Sequence, residues 1–204
     1  MTRPAGQCPS LAGFAIAALT IVSLTARPDT PKCAPLPMSL AAQPTLPSIA
    51  PERPQDADAV ERLALSAFGP GRFAKAAERL REGRAPRLDL SMLAWDDREA
   101  VGCVRMWQVK VGETPAIFLG PIAVEIAYRS HGVGAALVER ACSAAAADGH
   151  DVVVLVGDMP FFGPLGFAPA PGIVMPGPVD QRRVLARALR PGAESGLKGL
   201  IVSA

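Results

Sequence analysis

Residues 116–158 constrain the fold more than any other part of the chain, because strand and helix patterns alternate along them. Residues 117–124 are apolar and rich in β-branched side chains, which predicts a strand. Residues 152–156 (VVVLV) form an unbroken apolar run, typical of a strand buried on both faces. Between the two runs, apolar residues recur at helical spacing up to Gly149, where a left-handed helix end suits glycine. Two parallel strands joined by a right-handed helical crossover fit this order.

The loop that enters the predicted helix reads RSHGVG, from Arg129 to Gly134. A helix start leaves its first backbone N–H groups unpaired and carries partial positive charge. Gly132 and Gly134 allow a bulky anion to approach the backbone, and Arg129 adds a full charge beside them. The loop therefore predicts a site for phosphate or pyrophosphate, whereas a G-x-G pair taken alone would more simply be a turn at a helix start.

Two common phosphate motifs do not fit this loop. A dinucleotide-binding turn would continue as G-x-G-x-x-G, but Leu137 occupies the third glycine position. A nucleotide P-loop would need G-K-[ST], which is absent. The loop instead resembles the R-x-x-G-x-G/A loop of the GNAT superfamily of N-acetyltransferases. The surrounding run GPIAVEIAYRSHGVGAALV is similar to that family's L-x-V-x-P-x-x-R-G-x-G-I-G-x-A-L pattern.

Two further matches extend the resemblance to residues 45–204. The segment FFGPLGF, residues 161–167, looks like the family's F-Y-x-x-x-G-F segment, with Phe162 at the tyrosine position. Residues 68–84, 155–158 and 176–180 look like an uncharacterised bacterial branch of the superfamily. Three matches in the same order along one chain favour the family over an isolated turn.

The resemblance implies both a fold and a reaction. The fold is α+β, with a mostly antiparallel mixed sheet, a central parallel strand pair and a βαβ unit that binds the cosubstrate. The reaction is transfer of an acetyl group from acetyl-CoA to an amine acceptor of unknown identity. The residues that the resemblance assigns to the cosubstrate are Ile122, Ala123, Val124, Arg129, Ser130, His131, Gly132, Val133, Gly134, Ala135 and Phe162.

Two carboxylates are candidates for the base that deprotonates the amine, Glu125 and Asp158. Asp158 follows the buried strand at its carboxyl end, where α/β sheets collect ligands. Capping of the turn before Pro160 is an equally good account of Asp158, and Glu125 is more simply a solvated loop residue. A non-catalytic acyl-CoA-binding or regulatory module is the alternative function, because a phenylalanine stands at the tyrosine position.

The segment before the loop independently predicts a mixed α+β architecture. Residues 60–68 have the spacing of a helix, which either Asp56 or Asp58 can cap, and Asp58 with Glu61 fits a capping box. Apolar residues from Phe73 to Leu80 predict a second helix. Residues 88–94 alternate as a half-buried strand does, and a longer strand follows over 101–111. Helices followed by an antiparallel meander and then a βαβ unit are typical of α+β folds.

Residues 1–44 differ in composition from the predicted domain over 45–204. Their apolar run, residues 11–24, is too short for a comfortable membrane span of about 20 residues. A poor signal peptide, an interfacial anchor and an upstream stretch foreign to the native protein all remain open, and Met38 could be an internal start. Because acetyl-CoA is the expected cosubstrate, we expect a cytoplasmic protein; export or membrane association is the alternative.

Composition limits the partners. A net charge of +2 with both signs interspersed does not favour a nucleic-acid surface. Two histidines and four cysteines without a C-x-x-C pair predict no metal site, and Cys103 and Cys142 are expected to be buried free thiols. A homodimer is left open.

Overall fold

The computed structural model describes residues 47–71 and 76–204. The predicted extension over 1–44, and Phe73 in the predicted second helix, lie outside the described residues. Within that part of the chain there are nine strands. They are β1 Ser48–Pro51, β2 Met92–Asp96, β3 Glu99–Val111, β4 Thr114–Val124, β5 Val152–Val156, β6 Ala168–Pro169, β7 Ile173–Val174, β8 Val184–Ala188 and β9 Gly199–Ser203.

The described residues also form four α-helices: α1 Ala57–Phe68, α2 Ala76–Arg79, α3 Val133–Ala147 and α4 Met159–Phe162. α3 is the crossover predicted between the two parallel strands. Asp148 ends it and Gly149 follows with a φ of +87°, the left-handed conformation predicted for this glycine.

The strands form a mixed sheet in the order β1-β2-β3-β4-β5-β8-β6. β1 to β4 are antiparallel, β4 and β5 are parallel, and β5 and β8 are antiparallel again. β9 pairs with the carboxyl-terminal end of β3 and with β7. The α+β class with a central parallel pair is therefore confirmed.

The parallel pair is short, and this opens the sheet. β4 pairs with β5 only at Ile117 and Phe118. Beyond this point β4 bulges against β3, because Leu119 lies opposite Met106 but Ile122 lies opposite Val104. Gly120 and the cis-linked Pro121 occupy the bulge. The β5-facing edge of β4 beyond Phe118 is therefore not covered by β5.

Side chains of β5 pack into different clusters on the two faces of the sheet. Leu137 and Ala141 of α3 pack on a cluster that includes Val153 and Leu155 of β5. The alternate residues Val152 and Val154 belong to the cluster on the opposite face. β5 is thus buried on both faces, as its unbroken apolar run predicts.

Two sequence predictions near the start of the domain are wrong. The strand predicted over 88–94 begins only at Met92, because residues 88–90 form a turn. β2 is also buried on both faces instead of alternating: Met92 packs toward α3 and Leu93 packs toward α1. Two helices on opposite sides of the same strand remove the polar face that alternation requires.

Of the two predicted caps, Asp56 is the N-cap residue of α1, although its side chain makes no capping hydrogen bond to this helix. The capping box predicted for Asp58 and Glu61 does not form, because α1 begins before Asp58. A 3₁₀ turn at Pro54–Asp56 leads directly into Ala57. The carboxylate of Asp56 accepts a hydrogen bond from the Arg53 amide at 2.9 Å, so the reciprocal contact lies one turn upstream. Asp58 is left in the first turn of the helix.

Candidate active site

A cleft of about 800 Å³ opens where β4 leaves β5. One wall is the separated part of β4, and the loop before α3 closes one end. α2 and the loop that contains Asp180 bound the rest, and α4 contributes Phe161 and Phe162. A single cleft therefore joins the predicted phosphate loop to the carboxyl end of β5.

The loop before α3 has the geometry of an anion cradle. Gly132 is the N-cap of the helix with a φ of +81°, and a Cβ placed on it would meet open space. The first helical hydrogen bond runs from the Ala136 amide to the Gly132 carbonyl at 2.9 Å. The amides of Val133, Gly134 and Ala135 precede this bond, so helix geometry leaves them without an intrahelical acceptor. This end of α3 is therefore suited to bind an anion.

Arg129 places a positive charge beside these amides. Its Nε donates to the Val124 carbonyl at 2.9 Å, which anchors the side chain to the end of β4. Ser130, with a φ of +64°, turns the chain between Arg129 and the helix. The first turn of α3 contains no acidic residue that would oppose an anion.

The cleft brings together only part of the set of residues that the sequence analysis assigned to the site. Seven of them line it: Ile122, Val124, Arg129, Ser130, Gly134, Asp158 and Phe162. Ala123 and Val133 are buried in the core instead. The other four do not line the cleft: Glu125, His131, Gly132 and Ala135.

Gly134 is required for space and not for backbone conformation. The positive φ in this loop belongs to Gly132 and Ser130. A Cβ on Gly134 would lie 3.3 Å from Cζ of Phe161 and 3.7 Å from Cγ2 of Val124. A larger side chain there would fill the gap between the loop and α4.

The two phenylalanines of α4 have different roles in packing. Phe162 is 6% exposed and packs edge-on against Phe167, and a Cβ on Gly157 would collide with its ring. Phe161 is 41% exposed and lies beside Gly134. Neither ring can donate a proton, so this helix does not supply an acid.

Asp158 and Glu125 lie in different surroundings. The side chain of Asp158 is 69% exposed and pairs with Arg183, at 3.0 Å between Oδ1 and Nε. It makes no side-chain cap on α4. Glu125 is half-buried at the end of β4, and its amide donates to the Val101 carbonyl. Of the two base candidates, only Asp158 lines the cleft.

The structure adds charged residues that sequence reasoning did not assign to the site. Glu78 and Arg81 form an ion pair of 2.9 Å in the cleft wall, with side chains 17% and 13% exposed. Arg183 also lines the cleft, where it pairs with Asp158. Glu78 and Arg81 fall inside the family-like segment 68–84, but opposite charges at i, i+3 spacing are common on helices and do not by themselves indicate a site.

Neither Cys142 as a nucleophile nor a metal centre is supported in the described part of the chain. Burial raises the pKa of the Cys142 thiol to about 12, so this cysteine stays protonated at neutral pH and is not a nucleophile. Over residues 47–71 and 76–204 no group of three or more His, Cys, Asp or Glu side chains is arranged to hold a metal ion. In the same residues no helix is both long and apolar enough to cross a membrane.

Comparison with known proteins identifies the fold. Residues 57–167, more than half of the chain, match the model of the acetyltransferase (GNAT) family. A comparison with curated protein sequences gives no match.

Two solved structures resemble the chain over most of its length. One is the GNAT family N-acetyltransferase YhbS from Escherichia coli in complex with CoA, with 26% identity and a TM-score of 0.68, covering 79% of this chain and 92% of that one. The other, from Brucella melitensis in complex with acetyl-CoA, has 23% identity and a TM-score of 0.59, covering 77% and 95%. With the family match, the βαβ cleft and the R-x-x-G-x-G loop in agreement, the chain belongs to the GNAT family of acetyltransferases.

Proposed function

We propose that the protein is an N-acetyltransferase that transfers an acetyl group from acetyl-CoA to an amine. The observation that supports this most is the cleft between β4 and β5, which joins an anion-binding helix end to a carboxylate at the end of β5. An acyl transfer needs these two features within one site, and a simple binding turn needs only the first.

The loop fits the pyrophosphate of CoA. The amides of Val133, Gly134 and Ala135 and the guanidinium of Arg129 would hold it, because both offer donors and positive charge to an anion. The related E. coli and B. melitensis proteins were solved with CoA and acetyl-CoA. Since acetyl-CoA is a cytoplasmic metabolite, we also propose a cytoplasmic location.

The chemistry requires a base more than an acid. The nitrogen of the amine attacks the thioester carbon, the C–N bond forms, the C–S bond breaks, and one proton leaves the nitrogen. An amine with a pKa of about 10.4 is mostly protonated at neutral pH, so before this attack a carboxylate or water must also take the extra proton of the ammonium form and free the lone pair. Asp158 is the candidate base because it lines the cleft, and it would take the proton either directly or through water.

The leaving group and the oxyanion make smaller demands. A CoA thiolate resembles that of cysteine, with a pKa of about 8.5, and leaves without an acid. Phe162 in place of tyrosine is therefore compatible with turnover. Backbone N–H groups on β4 near Ile122 and Val124 are the candidates for stabilising the oxyanion, since this edge of the strand is not covered by β5.

A non-catalytic acyl-CoA-binding module is the second candidate. It is favoured by two observations: the Phe162 position has no hydroxyl, and Arg183 pairs with the carboxylate of Asp158. Such a module would bind CoA through the same loop but release no thiol.

One assay separates the two candidates. Thiol release from acetyl-CoA is measured with a broad panel of primary amines, and CoA and NAD are compared in a thermal-shift experiment. We expect stabilisation by CoA and not by NAD, with thiol release that depends on an amine. Binding of CoA without thiol release across the panel would favour the non-catalytic module.

A further inference from the structure

We infer that Glu78 binds the ammonium group of the acceptor, and that the acceptor is a small monoamine with an apolar body. This inference rests on the proposed acetyl transfer and assigns the acceptor end of the same cleft. It is carried by the placement of Glu78, the exposure and hydrogen bonding of its carboxylate, and the apolar character of the surrounding walls.

The placement of Glu78 follows from how α2 is held. Leu80, just beyond α2, is 2% exposed and packs into the core on that face of the sheet. Nη1 of Arg79 donates to the Pro176 carbonyl at 3.0 Å, and a Cβ on Gly177 would lie 3.3 Å from Cβ of Ala76. These contacts fix the helix against the 176–177 segment, while Glu78 and Arg81 line the cleft.

Arg81 holds the Glu78 carboxylate against β4. Its Nη1 donates to Oε2 of Glu78 at 2.9 Å, and its guanidinium lies 5.6 Å from the centroid of the Phe118 ring. A Cβ on Gly120 would lie 2.9 Å from its Nη2, so the guanidinium packs directly on the bulge of β4. The carboxylate is thus held beside the point where the cleft opens.

Glu78 differs from the other two carboxylates that line the cleft. The side chain of Asp158 is 69% exposed, and Arg183 engages both of its oxygens. The side chain of Asp180 is 41% exposed, and both of its oxygens accept hydrogen bonds from Arg182. Glu78 is 17% exposed, and within the described residues only Oε2 is engaged. Glu78 is therefore the least exposed of the three carboxylates, and one of its oxygens is still available for a ligand.

The walls define the rest of the acceptor. Phe68, Pro121 and Val179 line the same cleft and are at least partly exposed, so an acceptor would meet an apolar wall there. The cationic partners Arg81 and Arg183 offset the charges of Glu78 and Asp158. A polycation would find no net negative charge for its further ammonium groups, whereas a monoamine places one ammonium on Glu78 and its apolar body against the wall that contains Phe68.

Kinetics with matched acceptors test this assignment. Thiol release is measured with phenethylamine and with spermidine, for the wild type and for Glu78→Gln. We expect the wild type to prefer phenethylamine over spermidine in kcat/KM. In Glu78→Gln we expect KM for phenethylamine to rise on the order of tenfold or more, the effect of one charge-assisted hydrogen bond, while the Kd for CoA is unchanged.

Two further variants protect the test against trivial loss of folding. Glu82→Gln changes an exposed neighbour outside the cleft and should leave KM unchanged. Because Glu78→Gln removes the carboxylate that pairs with the half-buried Arg81, the double variant Glu78→Met/Arg81→Met removes both charges and should keep the fold but lose the amine preference. CoA affinity and thermal unfolding are followed in each.

The outcomes distinguish this inference from the proposed function. Turnover of phenethylamine with an unchanged KM in Glu78→Gln would overturn the role of Glu78 and leave the acetyltransferase intact. A wild-type preference for spermidine would overturn the acceptor class. A wild type that binds CoA but releases no thiol with any amine would overturn both proposals.

Discussion

The two ends of the cleft would recognise their proposed ligands in different ways. At the loop end, the donors are backbone amides at the start of α3, and Arg129 is the charged side chain beside them. At the acceptor end, the polar groups are side chains, with Glu78 paired to Arg81 and Asp158 paired to Arg183. The loop is one short segment, whereas the acceptor end joins residues about a hundred positions apart.

The two ends are therefore expected to tolerate substitutions differently. A backbone site requires particular chain conformations and small residues, so most substitutions within it interfere with the ligand. A side-chain site can exchange charges while the fold is kept, so one scaffold can serve many acceptors. We therefore expect the loop end to govern CoA affinity and the acceptor end to govern turnover and specificity.

The largest effect is expected at Gly134. In Gly134→Val the new side chain would fill the gap toward Phe161 and stand between the ligand and the α3 amides. We expect CoA binding to weaken roughly a thousandfold, as if two charge-assisted hydrogen bonds of about 2 kcal/mol each were lost. Isothermal titration with CoA measures this, and Gly134→Ala should give an intermediate loss because the φ is ordinary. An unchanged affinity in Gly134→Val would place the pyrophosphate elsewhere.

The next effect separates the two candidate bases. Asp158→Asn should lower kcat on the order of a hundredfold with nearly unchanged CoA affinity, since a base typically contributes at least that much. Glu125→Gln, which lies outside the cleft lining, should have little effect on either quantity. Steady-state thiol release and CoA titration are compared for both variants.

Stability is the control for this comparison. Because the ion pair between Asp158 and Arg183 is largely exposed, its loss should cost no more than about 1 kcal/mol in the free energy of unfolding. A stability loss of that size with full specific activity would show that Asp158 is not the base. Equal losses of kcat in Asp158→Asn and Glu125→Gln would contradict the assignment by cleft position.

A smaller effect is expected for Arg129→Ala. CoA affinity should fall about tenfold at low ionic strength, and the difference from the wild type should shrink at high salt, because an exposed ion contact is screened. Arg140→Ala changes an exposed charge on α3 outside the cleft and is the matched control. A loss of the same size at both salt concentrations would mean that Arg129 acts by shaping the loop through the Val124 carbonyl.

The smallest effect is expected from truncation. A chain that begins at Met38 should bind CoA within about twofold of the full chain, which is below 0.5 kcal/mol, because the composition break places residues 1–37 outside the predicted domain. CoA titration and thermal unfolding measure this. Failure of the shorter chain to fold would show that the domain requires the upstream segment.

Much of the βαβ unit could be read from the sequence because its signals are local. The run over 152–156 predicts β5 with its observed bounds, and Gly149 has the predicted left-handed conformation. Errors appeared where one element depends on another. β2 looked like an alternating strand, but α1 and α3 cover opposite faces of it, and this shows only in the fold.

The same distinction between local and long-range signals applies to the site. The sequence by itself determined the family, the crossover and the loop with its glycines, because a loop at a helix start is encoded by neighbouring residues. Only the tertiary structure decided that Asp158 and not Glu125 lines the cleft, and that Glu78 and Arg81 join it. Side chains that meet across the separation of β4 and β5 are set by packing between distant segments, which no local pattern encodes.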